Sequence, residues 1–259
     1  MEADDRKFLF NAEGVASDAK NINAYLVDGP NVFVESRKKP ISKVPDMVFG
    51  NMPNDGGNLI IEGDEYYDFI SLEPKAKPFI KSFVGAEEYT NNKKRYCLWL
   101  KDVNPLDYAN LPTVMNRIKA VRDLRLASNR AGTKKKAETP MLFGEIRQPD
   151  SDYLLLPRHS SEKRKYIPIG YLGSDIIAGD SCQIIPNATL YEFSILTSSV
   201  HNIWMRLVAG RLKSDYRYSK DVVYNNFPWP EVDDATKKKI GEFGQKILDI
   251  RSKYLSDPK

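Results

Sequence analysis

The residues best suited to chemistry in this chain are cations interleaved with aromatic side chains. The run from Arg206 to Lys220 sets Arg211, Lys213, Arg217 and Lys220 around Tyr216 and Tyr218, with Asp215 the one acid among them. Arg and Lys neutralise phosphates, while a tyrosine can donate to a phosphate or lie against a sugar or base. A solvated basic loop with inward-packed tyrosines has the same composition, so both readings stand on residue types alone. Two further loops carry mixed donors and acceptors: Arg147, Gln148, Asp150 and Asp152 in one, Arg158, Ser160, Ser161, Lys163 and Arg164 in the other. Such sets suit base edges, since Arg matches guanine, Asn or Gln matches adenine, and Asp or Glu accepts from the cytosine amine.

Charge is clustered rather than global. The 259-residue chain has a net charge of only +4. Yet between Thr113 and Lys136 lie Arg117, Lys119, Arg122, Arg125, Arg130, Lys134, Lys135 and Lys136 against Asp123 alone. Between Arg158 and Lys165 four cations face Glu162. That footprint is expected of a nucleic-acid binder, although ribosomal and membrane-surface proteins share it. Cys97 and Cys182 form neither a disulfide framework nor a zinc spacing, which fits a reducing compartment. No apolar run reaches transmembrane length, and Met1-Glu2-Ala3-Asp4-Asp5 lacks the basic start of a signal peptide. The expectation is a soluble, cytoplasmic protein without a membrane partner.

The elements that must position these residues read as an α+β fold: a small mixed or antiparallel sheet with packed helices and a C-terminal helix. Strands are expected at Lys7 to Phe10, Ala24 to Val27, Val32 to Val34 and Arg95 to Leu100. Further strands are expected at Phe143 to Ile146, Tyr153 to Leu156, Tyr166 to Ile169 and Cys182 to Ile185. Pro74 and Pro112 begin helices over Glu73 to Phe83 and Leu111 to Ser128. In the second, Arg122 and Arg125 fall inside the apolar face, which implies a pairing in the interior or a polyanion against that face. Thr189 and Glu192 form a capping box for a helix whose stripe runs through Phe193, Leu196, Val200, Ile203, Trp204 and Leu207 to Gly210. A last helix begins at Asp233 or Asp234, with Ile240, Phe243, Ile247, Ile250 and Tyr254 along one side.

The string Gly-Arg-Leu-Lys-Ser-Asp-Tyr-Arg-Tyr-Ser-Lys-Asp-Val-Val-Tyr-Asn-Asn-Phe-Pro-Trp-Pro over residues 210–230 resembles a signature of large adenine-specific DNA methyltransferases. These are the MmeI-like, type IIL restriction–modification enzymes and their BREX-associated relatives. Other matching stretches are Val48 to Leu59, Arg95 to Leu100, Leu142 to Pro149 and Ile184 to Thr189, with Tyr25 to Val34 similar to the exit from the family's methyltransferase domain. The resemblance implies a carboxy-terminal part of a larger enzyme: residues 1–30 a methyltransferase remnant, 31–229 a target-recognition domain, 230–259 a spacer-type helix. The spacer analogy is to specificity subunits of type I restriction systems and concerns architecture only. It implies double-stranded DNA and the amino-terminal methyltransferase domain as partners. S-adenosylmethionine, and magnesium where a nuclease is fused, belong to the parent and not to this fragment. Base reading falls in the strand-rich half with Gln183 and Asn187 added. Backbone contact falls to Arg122, Arg125, Arg130, Lys165, Arg211, Lys213, Tyr216, Arg217, Tyr218 and Lys220.

Catalytic motifs of that family are not legible here. Asn104-Pro105-Leu106-Asp107-Tyr108 lacks the second proline of the base-binding loop and reads as a turn starting a helix. Gly56-Gly57 is one tight turn, and Asp5-Arg6-Lys7 is preceded only by the adjacent Glu2 and Asp4, not by the separated acid that would complete a metal site. His201 beside the apolar stripe reads as structural, and His159, in a basic loop, as an ordinary surface residue ahead of a phosphate contact. A non-catalytic RNA-binding or scaffold protein, or an enzyme of unrelated type, remains the rival reading.

Overall fold

The computed structural model describes residues 6–31 and 33–255. Asp5 and Val32, which belong to two of the stretches just read, and Met1 to Asp4 lie outside them. Along the chain, β1 (Lys7–Phe10) and β2 (Ala16–Ala19) pair as a hairpin separate from the other sheets. A coil leads to β3 (Val48–Phe49) and then to the first body. That body comprises β4 (Ile60–Glu62), α1 (Tyr66–Leu72), a 3-10 stretch over Pro74–Phe79, β5 (Ile80–Val84), α2 (Ala86–Asn91) and β6 (Arg95–Leu98). It is completed by α3 (Pro105–Tyr108), α4 (Pro112–Leu126) and α5 (Ala131–Lys135). The second body holds β7 (Tyr153–Pro157), β8 (His159–Ser160), β9 (Gly170–Leu172), β10 (Ile177–Ala178) and β11 (Cys182–Pro186). After these come α6 (Leu190–Thr197), α7 (Ser199–Val208), β12 (Gly210–Leu212), β13 (Asp215–Arg217) and α8 (Asp234–Leu255).

Two four-stranded sheets result, ordered β10-β5-β6-β4 and β3-β11-β7-β9. All pairs are antiparallel except β10 with β5, where Ala178 lies opposite Val84. β10 thus belongs to the first sheet and β11 to the second, and the chain crosses between them at Gly179. A Cβ on Gly50 would run into the Gly179 carbonyl, and one on Gly179 would meet the Phe83 ring at 2.7 Å. Only glycine permits that approach of two backbones. Each body has its own core: Leu59, Ile61, Phe69, Leu98, Val114 and Val121 in one; Leu154, Leu156, Ile169, Phe193, Leu196 and Tyr224 in the other. The opposite face of β7 and β11 carries Tyr153, Leu155, Cys182 and Ile184 against Val84 and Tyr89 of the first body. The apolar run at 153–157 is therefore buried on both faces.

Several expectations shift. Ala24 to Val27 is a turn, with Leu26 at φ +58°, and the partner of β1 is β2 instead. Phe33 and Val34 are coil. Glu73 to Phe83 divides into the 3-10 stretch and β5. Residues 143–146 form a single bridge, Met52 with Glu145, because Gly144 packs on Asn54. Tyr166 to Ile169 is coil leading into β9. The expected helix from 189 to 209 breaks at Ser198, whose hydroxyl caps α7 through the His201 N–H at 3.2 Å. The capping box at Thr189 and Glu192 is present, Asn104 caps α3, and Asp233 caps α8 through the Thr236 N–H. α8 docks on α6, where Ser194 Oγ donates to the Ile240 carbonyl at 2.8 Å and Gly244 meets the Leu190 carbonyl.

The stretch Lys220–Tyr224 is a π-turn that pins the incoming coil. Tyr224 donates to the Pro45 carbonyl, Asn225 to the Arg37 carbonyl, and Asn226 to the Glu35 carbonyl. The Ser42 hydroxyl in turn accepts the Trp229 N–H.

Candidate nucleic-acid interface

The run from Gly210 to Arg217, read as a loop in the sequence, is a hairpin. Lys213 opens its two-residue turn at φ +56°. β13 also pairs with β8, placing Tyr216 opposite Ser160 and Arg217 opposite His159. The 158–165 loop and the hairpin, which the sequence assigned to different tasks, are thereby one surface. Lys163, Arg164, Lys165, Arg211, Lys213 and Arg217 are exposed on it, and none of them makes an ion pair among the described residues.

Arg206, on α7, holds this surface together. Its guanidinium donates to the Tyr216 hydroxyl at 3.0 Å, to the Arg164 carbonyl at 2.7 Å and to the Lys165 carbonyl at 3.3 Å. It also lies 5.2 Å from the Tyr216 ring centroid, and Arg211 stacks on that ring at 3.7 Å. Each such cation–π contact contributes about 0.5–1 kcal/mol when exposed. Arg206 was not among the expected site residues, because nothing in its spacing marks a residue in the last turn of a helix as a tie between two loops.

The structure removes several expected contacts. Tyr216 and Tyr218 are buried: the first is sandwiched by arginines, and the second meets His201 Nε2 at 3.0 Å. Both support the surface from beneath. Lys220 is committed to Asp221 at 2.8 Å. Arg125 is fully buried, and its five N–H groups go to the carbonyls of Pro53, Asn54, Lys136, Thr139 and Leu142. It continues the Val114, Ile118, Val121 stripe and has no donor left for a phosphate. Gln148 likewise spends its amide internally: Oε1 accepts from Asn51 and the Ala178 N–H, and Nε2 donates to Ser174 and Ile176. Gln183 is 2% exposed within β11 and cannot reach a base. Arg147 is half-buried, bonded to the Gly50 carbonyl and paired with Glu145.

Other candidates stay accessible. Asp150, Asp152 and Asn187 are exposed, with Asn187 at φ +57° accepting from Ser151 at 2.8 Å. Arg158 is half-buried over Phe49, and Ser160 and Ser161 are half-buried in and beside β8. Arg122 and Arg130 are exposed on the first body.

The Gly56-Gly57 turn gives the Gly57 and Leu59 N–H groups to the Asp55 carboxylate, leaving no cradle for an anionic ligand. Among the described residues no group of three or more His, Cys, Asp and Glu side chains converges on a metal position. No helix among them is long and apolar enough to cross a membrane.

Comparison with known proteins places the chain among characterised relatives. DNA methyltransferase A of Bacillus subtilis (strain 168) is 42% identical over 245 residues, covering 95% of this chain and 28% of that protein. The solved structure of the type IIL restriction-modification enzyme MmeI in complex with DNA superposes with a TM-score of 0.89 at 43% identity, covering 98% of this chain and 34% of that one. The chain therefore spans about a quarter to a third of the length of these relatives. The family model described as MmeI, target recognition domain, matches residues 28–231. A match of that extent, on a chain of the same fold, places this protein in the MmeI target recognition domain family.

Proposed function

We propose that this chain reads and holds duplex DNA for an adenine-specific, S-adenosylmethionine-dependent DNA methyltransferase of restriction–modification or phage defence, working in the cytoplasm. The single observation that carries the reading is the β12-β13-β8 sheet, which gathers unpaired cations from two distant segments onto one braced face. Arg211, Lys213, Arg217 and Lys165 contact backbone phosphates on this reading, joined by Arg122 and Arg130 from the first body. Asp150, Asp152, Arg158, Ser160, Ser161, Lys163, Arg164 and Asn187 remain available for base edges. On this reading the cofactor and the chemistry belong to the amino-terminal part of the parent. The β1–β2 hairpin, an isolated two-stranded sheet with Phe8 and Phe10 exposed, supports assigning residues 1–30 to the edge of that preceding domain.

The test is binding of the chain to a double-stranded oligonucleotide as salt is varied. Affinity falls steeply between about 50 and 200 mM salt as counterions are released. Changing Arg211 and Lys213 together to Ala lowers the slope of log affinity against log salt by roughly two, one for each phosphate no longer neutralised. No binding, or binding with an unchanged slope in that variant, overturns the reading.

A further inference from the structure

We propose that His159 and Arg217, opposite each other on the outer face of the β8–β13 ladder, form a site for one DNA backbone phosphate that takes up a proton at His159 when DNA binds. The proposal rests on the DNA-holding reading above.

The register sets Arg217 directly across from His159, and both side chains are exposed. Tyr216 and Ser160 occupy the alternate positions and face inward, with Arg206 and Arg211 on the Tyr216 ring. Neither His159 nor Arg217 has a side-chain hydrogen bond or ion pair among the described residues. A protonated His159 would face Arg217 as a like charge, which destabilises a strand pair unless an anion lies between the two. Facing residues in an antiparallel ladder stand about 4.5–5.5 Å apart at Cα, close enough for both side chains to reach one phosphodiester.

The charged neighbours explain why the histidine waits for its ligand. Arg158 adjoins it in the chain, lies over Phe49 and reaches the Asp180 carbonyl at 3.5 Å. Arg217 faces it from β13. Asp215, on the same face of β13, opposes them but already accepts the Glu162 N–H at 3.2 Å. Partial burial, then Arg158 and Arg217, hold His159 below the ordinary histidine pKa, with Asp215 pulling the other way. A bound phosphate reverses the sign of the local field, and a protonated imidazole can then donate to it.

The chain has two histidines, and His201 is buried with its pKa held down to about 3, so His159 is a clean reporter. Imidazole NMR titration of the chain, free and saturated with a double-stranded oligonucleotide, reads the site directly. Free His159 titrates below about 6.5 and bound His159 above it. Affinity then rises as pH falls from about 7.5 to about 5.5, by up to tenfold per unit of upward shift. His159→Gln removes that pH dependence while still binding DNA at the upper pH, and Arg217→Gln lowers the salt slope by about one. A complex that forms with the His159 midpoint unmoved or lowered overturns this site while leaving the DNA-holding reading intact. The same upward shift with inorganic phosphate at equal phosphate concentration overturns the assignment to DNA. Failure to form any complex overturns both.

Discussion

Replacing Arg125 with Met would keep most of the buried stem but leave five carbonyl oxygens without their donor. Each buried group left unsatisfied costs about 1–3 kcal/mol, so even with relaxation Arg125→Met should lower stability by at least about 3 kcal/mol. Urea unfolding checks this, and a variant of unchanged stability with weakened DNA binding would return Arg125 to the phosphate contacts. His201 gives a second test at the same scale. Burial holds its pKa down to about 3, whereas the unfolded chain takes up the proton near about 6.5. Between those values the unfolded state binds the extra proton, so stability is lost as pH falls below about 6.5, and the loss levels off near about 3. The wild type should therefore lose about 2 kcal/mol more than His201→Gln between pH 7 and about pH 5, measured by urea unfolding. Residue types alone picked out cations that the fold leaves exposed, Arg211, Lys213 and Arg217, but overcounted the buried polar groups. Charge is visible in a sequence, whereas the carbonyls that consume Arg125 and the amide partners of Gln148 come from segments far apart in the chain.

Elements were legible where local signals agree with tertiary packing. Pro112 and the Val114–Ile118–Val121 spacing define α4, Thr189 and Glu192 define the start of α6, and the apolar runs define β7 and β11. The break at Ser198 was hidden because the apolar stripe continues past it, yet Val200, Ile203 and Leu207 turn out exposed. The hairpin at 210–217 was hidden too, since Arg-Leu-Lys-Ser-Asp-Tyr-Arg shows neither clean alternation nor an Asn-Gly turn. Its order depends on Arg206 and Tyr216. Arg206→Ala should speed amide hydrogen exchange both in the hairpin and at residues 161–165, where two carbonyls lose their donor, while leaving β7 protected. Faster exchange confined to one of the two segments would show that Arg206 does not tie them.

At the scale of the whole molecule, two cores meet where Gly50 and Gly179 cross, and no side chain can enter between them. The family resemblance spoke to this scale, whereas composition could say only that the chain mixes helices and strands. The motif stretches around Val48 to Leu59 and Leu142 to Pro149 are largely this junction: Asn51 accepts the Arg147 N–H at 2.6 Å and binds Gln148. They read as recognition motifs, but their hydrogen bonds are spent on holding the two bodies in register.

The π-turn and its asparagines have a consequence for exchanging recognition parts between relatives. Residues 35–45 and 221–229 are far apart in the chain but bonded into one strap, through the Glu35, Arg37 and Pro45 carbonyls and the Ser42 hydroxyl. A transplant cut at the start of β3 would take Tyr224, Asn225 and Asn226 from one parent and their acceptors from the other. A chimaera joined near residue 31 should fold with the donor's thermal midpoint, whereas one joined near residue 47, carrying mismatched strap residues, should melt lower. Differential scanning fluorimetry of the two junctions decides it, and equal midpoints would mean the strap is interchangeable.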